Sequence, residues 1–136
     1  MESITLRTLF LSTVLTASIC LPAFAVEKRS KSYVAQVGET IRIWGWAHFD
    51  DNFKTTGFAN FKVKGRPKLG AVSIKQEKFT ISNSSIEKCI GRKKLGRAVY
   101  YTAGSKSGKE RFTLVQMKRS NQSEVSREIK VEIIVK

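Results

Sequence analysis

Acidic residues, histidine, proline and mature-chain cysteine are all scarce here. The 136 residues hold 11 Asp and Glu against 25 Lys and Arg, one His, two Pro and two Cys. A structural zinc site takes about four protein ligands and a catalytic one about three. His48 with Asp50 and Asp51 in HFDD falls short of that and reads as a turn with acidic residues, so no metal is expected. Scattered carboxylates give no pair for glycoside chemistry. A nucleophilic pairing of Cys89 with His48 has no signature around either residue. No cofactor is expected, and the chain is read as non-enzymatic.

Long apolar runs are also lacking, with one exception at the start. In MESITLRTLFLSTVLTASICLPAFA, Arg7 precedes an apolar run from Leu9 to Leu21 and small residues close at Ala23 and Ala25. That is the three-part pattern of a secretory signal peptide over 1–25, and the run is short for a spanning helix of roughly 20 residues. Cys20 would leave with it. The expectation is a periplasmic or secreted protein without a transmembrane anchor. It would have a charged lead-in at 26–31 and one domain at 32–136.

What remains is strongly basic, with a formal charge of +14. Such a charge disfavours the compact state by self-repulsion and attracts polyanions, while saying nothing about fold.

From Ser32 the apolar spacing is two, the period of strands. In ETIRIWGWAHF, Ile41 and Ile43 alternate with Trp44 and Trp46, which places the indoles on the opposite face from the aliphatics. In REIKVEIIVK, Ile129, Val131, Ile133 and Val135 share a face. FANFKVK, AVSIKQ, KFTISN, RAVYYTA and RFTLVQMK read as further short strands, bounded by Gly65, Pro67, Gly70, Gly91, Gly96, Gly104, Gly108 and the turn at 120–123. Seven or eight such strands make an all-β, antiparallel sandwich. The core is expected from Ile41, Ile43, Phe61, Val63, Val72, Ile74, Phe79, Ile81, Val99, Tyr101, Phe112, Leu114, Ile129, Val131 and Ile133.

Between Gly65 and Val135 the chain carries Pro67-x-x-Gly70-Ala71-Val72, Cys89-x-Gly91, Val99-Tyr100-Tyr101-Thr102 leading to Gly108, and Phe112-Thr113-Leu114-Val115. These positions resemble the immunoglobulin-like domains of exported bacterial proteins. The chain departs from that pattern where Lys109-Glu110-Arg111 follows Gly108, and it has no cysteine near Phe53 to pair with Cys89. The resemblance implies a β-sandwich that binds or spaces, without catalysis.

Three sets of residues are candidates for contact. Arg92, Lys93, Lys94 and Arg97 lie in CIGRKKLGRAVYY, where Gly91 and Gly96 let a loop turn and present long cations to phosphates or sulfates. Lys62, Lys64, Arg66, Lys68, Lys75, Lys78, Lys106, Lys109 and Arg111 extend the charge, with Lys75 and Lys78 flanking a turn. Trp44 and Trp46 are aromatic contacts if exposed and core if not. Cys89, an odd cysteine once 1–25 is removed, is expected buried, with a free thiol or an inter-chain bond as alternatives.

These readings favour a binding module for an anionic polymer or envelope surface, such as lipopolysaccharide phosphate or a glycosaminoglycan-like chain. The alternatives are an envelope assembly component acting through a protein partner, and a redox protein built on Cys89. Nucleic acid stays open on electrostatic grounds alone, since no recognition motif appears.

Overall fold

The computed structural model of the protein describes residues 26–118 and 124–136. The expected signal peptide, Cys20 and the turn at 120–123 lie outside the described residues.

Among the described residues nine strands follow one another: β1 Glu27–Ala35, β2 Thr40–Trp46, β3 His48–Phe49, β4 Thr55–Gly57, β5 Asn60–Lys64, β6 Gly70–Thr80, β7 Lys93–Ala103, β8 Gly108–Met117 and β9 Val125–Val135. A 3-10 turn, Glu87–Cys89, lies between β6 and β7. Seven strands form two layers, a four-stranded sheet in the order β1-β9-β8-β5 and a three-stranded sheet in the order β2-β7-β6, while β3 and β4 make a separate ribbon. No helix among the described residues is long and apolar enough to cross a membrane.

Period-two patterning builds the layers. Ile129, Val131, Ile133 and Val135 of β9, with Phe112 and Leu114 of β8, meet Val99, Tyr101 and Ala103 of β7 in one buried cluster. Each large side chain so buried contributes about 1.5 to 3 kcal/mol. Tyr101 and Phe112 stack across the layers with centroids 6.1 Å apart. The Tyr101 hydroxyl donates to Glu110, whose other oxygen accepts the N–H of Lys68 at 2.6 Å and of Leu69 at 3.1 Å. Glu110 thereby ties the turn before β6 to the core tyrosine.

The all-β sandwich is the expected one, antiparallel in its pairings except that β1 runs parallel to β9 from Glu27↔Arg127 to Ala35↔Val135. Several other expectations need correction. The charged lead-in is the first half of β1. AVSIKQ and KFTISN are one strand: β6 pairs with β7 without interruption from Gly70↔Ala103 to Thr80↔Lys93, so Lys75 and Lys78 flank no turn. No Gly, Pro or Asn falls between them to break the ladder. Gly96 is likewise in mid-strand, opposite Glu77.

The β2 strand holds the most consequential change. Its register against β7 shifts between Arg42 and Trp44. Ile43 is the extra residue of a bulge, and one inserted residue reverses the alternation after it. Ile41 faces Tyr101 and Trp44 faces Val99, so the indoles join the aliphatics against the core. Phe79, expected inside, lies on the outer face, where Gly45 and Gly96 leave room for its ring.

The two long seams of the sandwich differ. On one side the Tyr33 hydroxyl donates to the Ile43 carbonyl and links β1 to β2. On the other, Val63 and Ile74 occupy core-facing positions on the edge strands β5 and β6 yet stay 37% and 44% exposed.

Candidate functional site

The turn into β7 is built by hydrogen bonds rather than by a free glycine loop. Gly91, at φ 85°, donates to the Ile81 carbonyl at 2.8 Å, and Ile81 donates to the Arg92 carbonyl at 2.9 Å. The four expected cations then separate by face. Arg92 lies over the Phe53 ring, 3.9 Å from its centroid. Lys94 sits 4.6 Å from the same centroid and donates to the Phe53 carbonyl. Arg97 turns to the other face, donating to Ala59 at 3.1 Å and Asn60 at 2.5 Å and lying 5.5 Å from the Phe58 ring. Lys93 is exposed.

These cations therefore organise the segment 49–60, which sequence reasoning had not connected to them. The turn before β4 is fixed by Asp50, whose Oδ1 accepts the N–H of Asn52 at 3.0 Å and of Lys54 at 2.9 Å. This turn role agrees with the reading of HFDD. Phe53 adopts a positive φ of 60°, uncommon for a bulky residue. Its ring packs edge-on against Phe49 at 5.0 Å. Among the described residues no group of three or more His, Cys, Asp or Glu comes together.

Trp44 and Trp46 form a second constellation. The Trp44 indole N–H donates to Gln116 at 3.3 Å, crossing between the sheets. Arg127 lies 4.3 Å from the Trp46 ring and 5.9 Å from that of Trp44, and donates to Gln116 at 3.3 Å and Glu27 at 2.6 Å. Its side chain is only 12% exposed. Hydrogen bonds from Arg127, then from Arg29, hold the Glu27 carboxyl below the usual carboxylate range. The indoles are thus half-buried, packed between arginine and the core. The bulge just before Trp44 gave no signal of this in the sequence.

Cys89 is completely buried at the end of the 3-10 turn, its N–H donating to Ile86 at 3.0 Å. Burial was the expected state, and it keeps the thiol away from the neighbouring cations at the surface.

The cations expected to extend that charge do not all share one surface. Lys62 and Lys64 of β5 come together with Lys109 and Arg111 of β8 on the outer face of the four-stranded sheet, with Lys28 added from the charged lead-in and Lys130 from β9. Lys75 lies instead on the three-stranded sheet, 5.0 Å from the Tyr100 ring.

No family model matches the chain, and no curated protein matches it. Among solved structures, a chain in "Structure of PbICP-C in complex with falcipain-2" is 15% identical with a TM-score of 0.41, over 84% of this chain and 93% of that one. A likeness of that size carries no conclusion about function.

Proposed function

We propose that the protein is an exported, non-enzymatic binding module of the immunoglobulin-like kind that engages an anionic polymer through the end of the sandwich bearing Arg92, Lys93, Lys94 and Arg97. The observation that supports it is the fixed placement of three of these cations on Phe53, Phe58 and Asn60. A cation held against an aromatic face loses less side-chain freedom on meeting an anion than a solvated one does. The net charge of +14 adds long-range attraction that salt weakens.

Retention on immobilised heparin and on lipopolysaccharide across a salt series tests this, beside a variant with Arg92, Lys93, Lys94 and Arg97 changed to Ser. Weaker retention and a shallower salt dependence in the variant are the expected result. Retention that ignores salt ends the reading.

A second reading, contact with a protein partner at the same end, is favoured by Phe53. A bulky residue at positive φ, lying under two cations, is a local cost that binding loops on rigid scaffolds commonly carry. A photo-crosslinking residue at position 53 would give a discrete adduct in the native envelope, where one at position 73 would not. Equal labelling at both positions removes this reading.

A further inference from the structure

We infer that the outer face of the four-stranded sheet is a second anion-binding site, a trough that takes a linear polymer bearing sulfate or phosphate groups. It rests on the anionic-polymer reading but occupies a different surface. Alternation along the strands and their registers set the rows of this face. One row crosses all four strands as Ser30, Lys130, Thr113 and Lys64, the next carries Ser32, Glu132 and Arg111, and the row on the other side carries Lys28, Glu128, Val115 and Lys62.

The cations outnumber the acids, and both acids are already engaged. Glu128 pairs with Lys64 at 3.4 Å, and Glu132 pairs with Arg111 at 2.8 Å and Lys109 at 3.4 Å. Hydrogen bonding from Arg111, then Lys109, holds the Glu132 carboxyl below the usual range, so it stays ionised and neutralises only part of its surroundings. No acidic partner is recorded among the described residues for Lys28, Lys62 or Lys130. Exposed pairs of this kind contribute little to stability, so their cations can exchange a carboxylate for a ligand oxyanion at small cost.

Shape agrees with charge. A groove of about 660 Å³ runs over Ser30, Lys64, Arg111, Thr113 and Lys130. Four strands spaced about 4.8 Å apart make it about 14 Å long, enough for several successive anionic groups of an extended chain. Hydroxyls of Ser30, Ser32 and Thr113 lie between the cations. Together they offer neutral and charged donors to tetrahedral oxyanions, the mix that such groups accept best. Twist carries the strand ends away from any flat partner, so a flexible polymer fits the surface better than a second sheet.

The test compares the isolated protein with a trough variant, Lys64→Ser with Arg111→Ser and Lys130→Ser, and with a loop variant, Arg92→Ser with Lys93→Ser. Each is titrated with a short heparin oligosaccharide and separately with a short inorganic polyphosphate. Amide resonances are followed in all three, and thermal melts confirm folding. In the wild type, the amides of Ser30, Thr113 and Lys130 should shift. The trough variant should lose those shifts, with a log affinity against log salt slope smaller by about three. The probe that binds there identifies the source as sulfated saccharide or phosphate polymer. A trough variant that binds both probes like the wild type, or shifts confined to 48–60 and 89–97, overturns the trough and leaves the anionic-polymer reading standing. No binding of either probe by the wild type overturns both.

Discussion

Gly96 stands where no side chain fits. A Cβ there would come within 2.6 Å of the Trp46 carbonyl oxygen and 2.9 Å of both Ala47 and the Phe79 ring. Gly96→Ala should therefore force β2 and β7 apart and cost about 1 to 3 kcal/mol, the range of overpacking, read as a lowered melting temperature. Gly91→Ala, with open space around its Cβ, reports backbone strain alone and is the control. Tyr101 makes a different prediction. Burial, then its hydrogen bond to Glu110, raises its hydroxyl well above the ordinary tyrosine value. A raised folded pKa contributes stability that is complete below the unfolded value near pH 10, and that stability is lost as pH rises past it. Tyr101→Phe should be less stable than wild type at pH about 8 by about 1 kcal/mol, and the gap should narrow at pH about 10.5. A gap that widens with pH would contradict the sign.

Among the elements, β1 is held unevenly. Its residues from Glu27 to Ser32 are exposed, Tyr33 is half-buried and Ala35 is fully buried. Hydrogen exchange should be fast over the first half of the strand and slow near Ala35. Beyond the ladder to β9, Arg127 ties the start of that half, at Glu27, to Gln116 and the two indoles. Arg127→Lys keeps the charge but loses the planar fork and ring stacking, so exchange over 27–32 should quicken with little change near Ala35. Uniform slowing or quickening along β1 would place the restraint elsewhere.

Strand β9, β7 and β8 were legible because Ile129, Val131, Ile133 and Val135 repeat at two without a defect. The β2 face was not, because a bulge at Ile43 needs no Gly or Pro to announce it and inverts every residue that follows. Gly96 was read as a turn former, since a sequence shows that a side chain is missing but not which neighbour needs the space. The cationic trough was hidden for another reason: its lysines come from β1, β5, β8 and β9, and only strand order makes them neighbours.

At the scale of the whole molecule, charge opposes compaction. Raising sodium chloride from about 0.02 to about 0.5 M shortens the Debye length from roughly 20 Å to below 5 Å. Self-repulsion of a +14 domain should then relax and the melting temperature rise by a few degrees. A fall on adding salt would mean that the recorded ion pairs outweigh the repulsion. The same screening should weaken polymer binding, so stability and affinity are expected to move in opposite directions with salt.

The parallel pairing of β1 with β9 has a mechanical consequence. Glu27 lies beside Arg127 and Ala35 beside Val135, so the start of the first strand and the end of the last lie at opposite ends of one ladder. Nine paired positions, eight steps of about 3.3 Å, separate those two points by about 26 Å along the strands. Tension applied between them pulls the two strands past one another lengthwise. Every bond of the ladder then bears load together, instead of parting one after another as in a zip. A domain joined to its surroundings at these two points would resist stretching far better than its modest seam at β5 and β6 suggests.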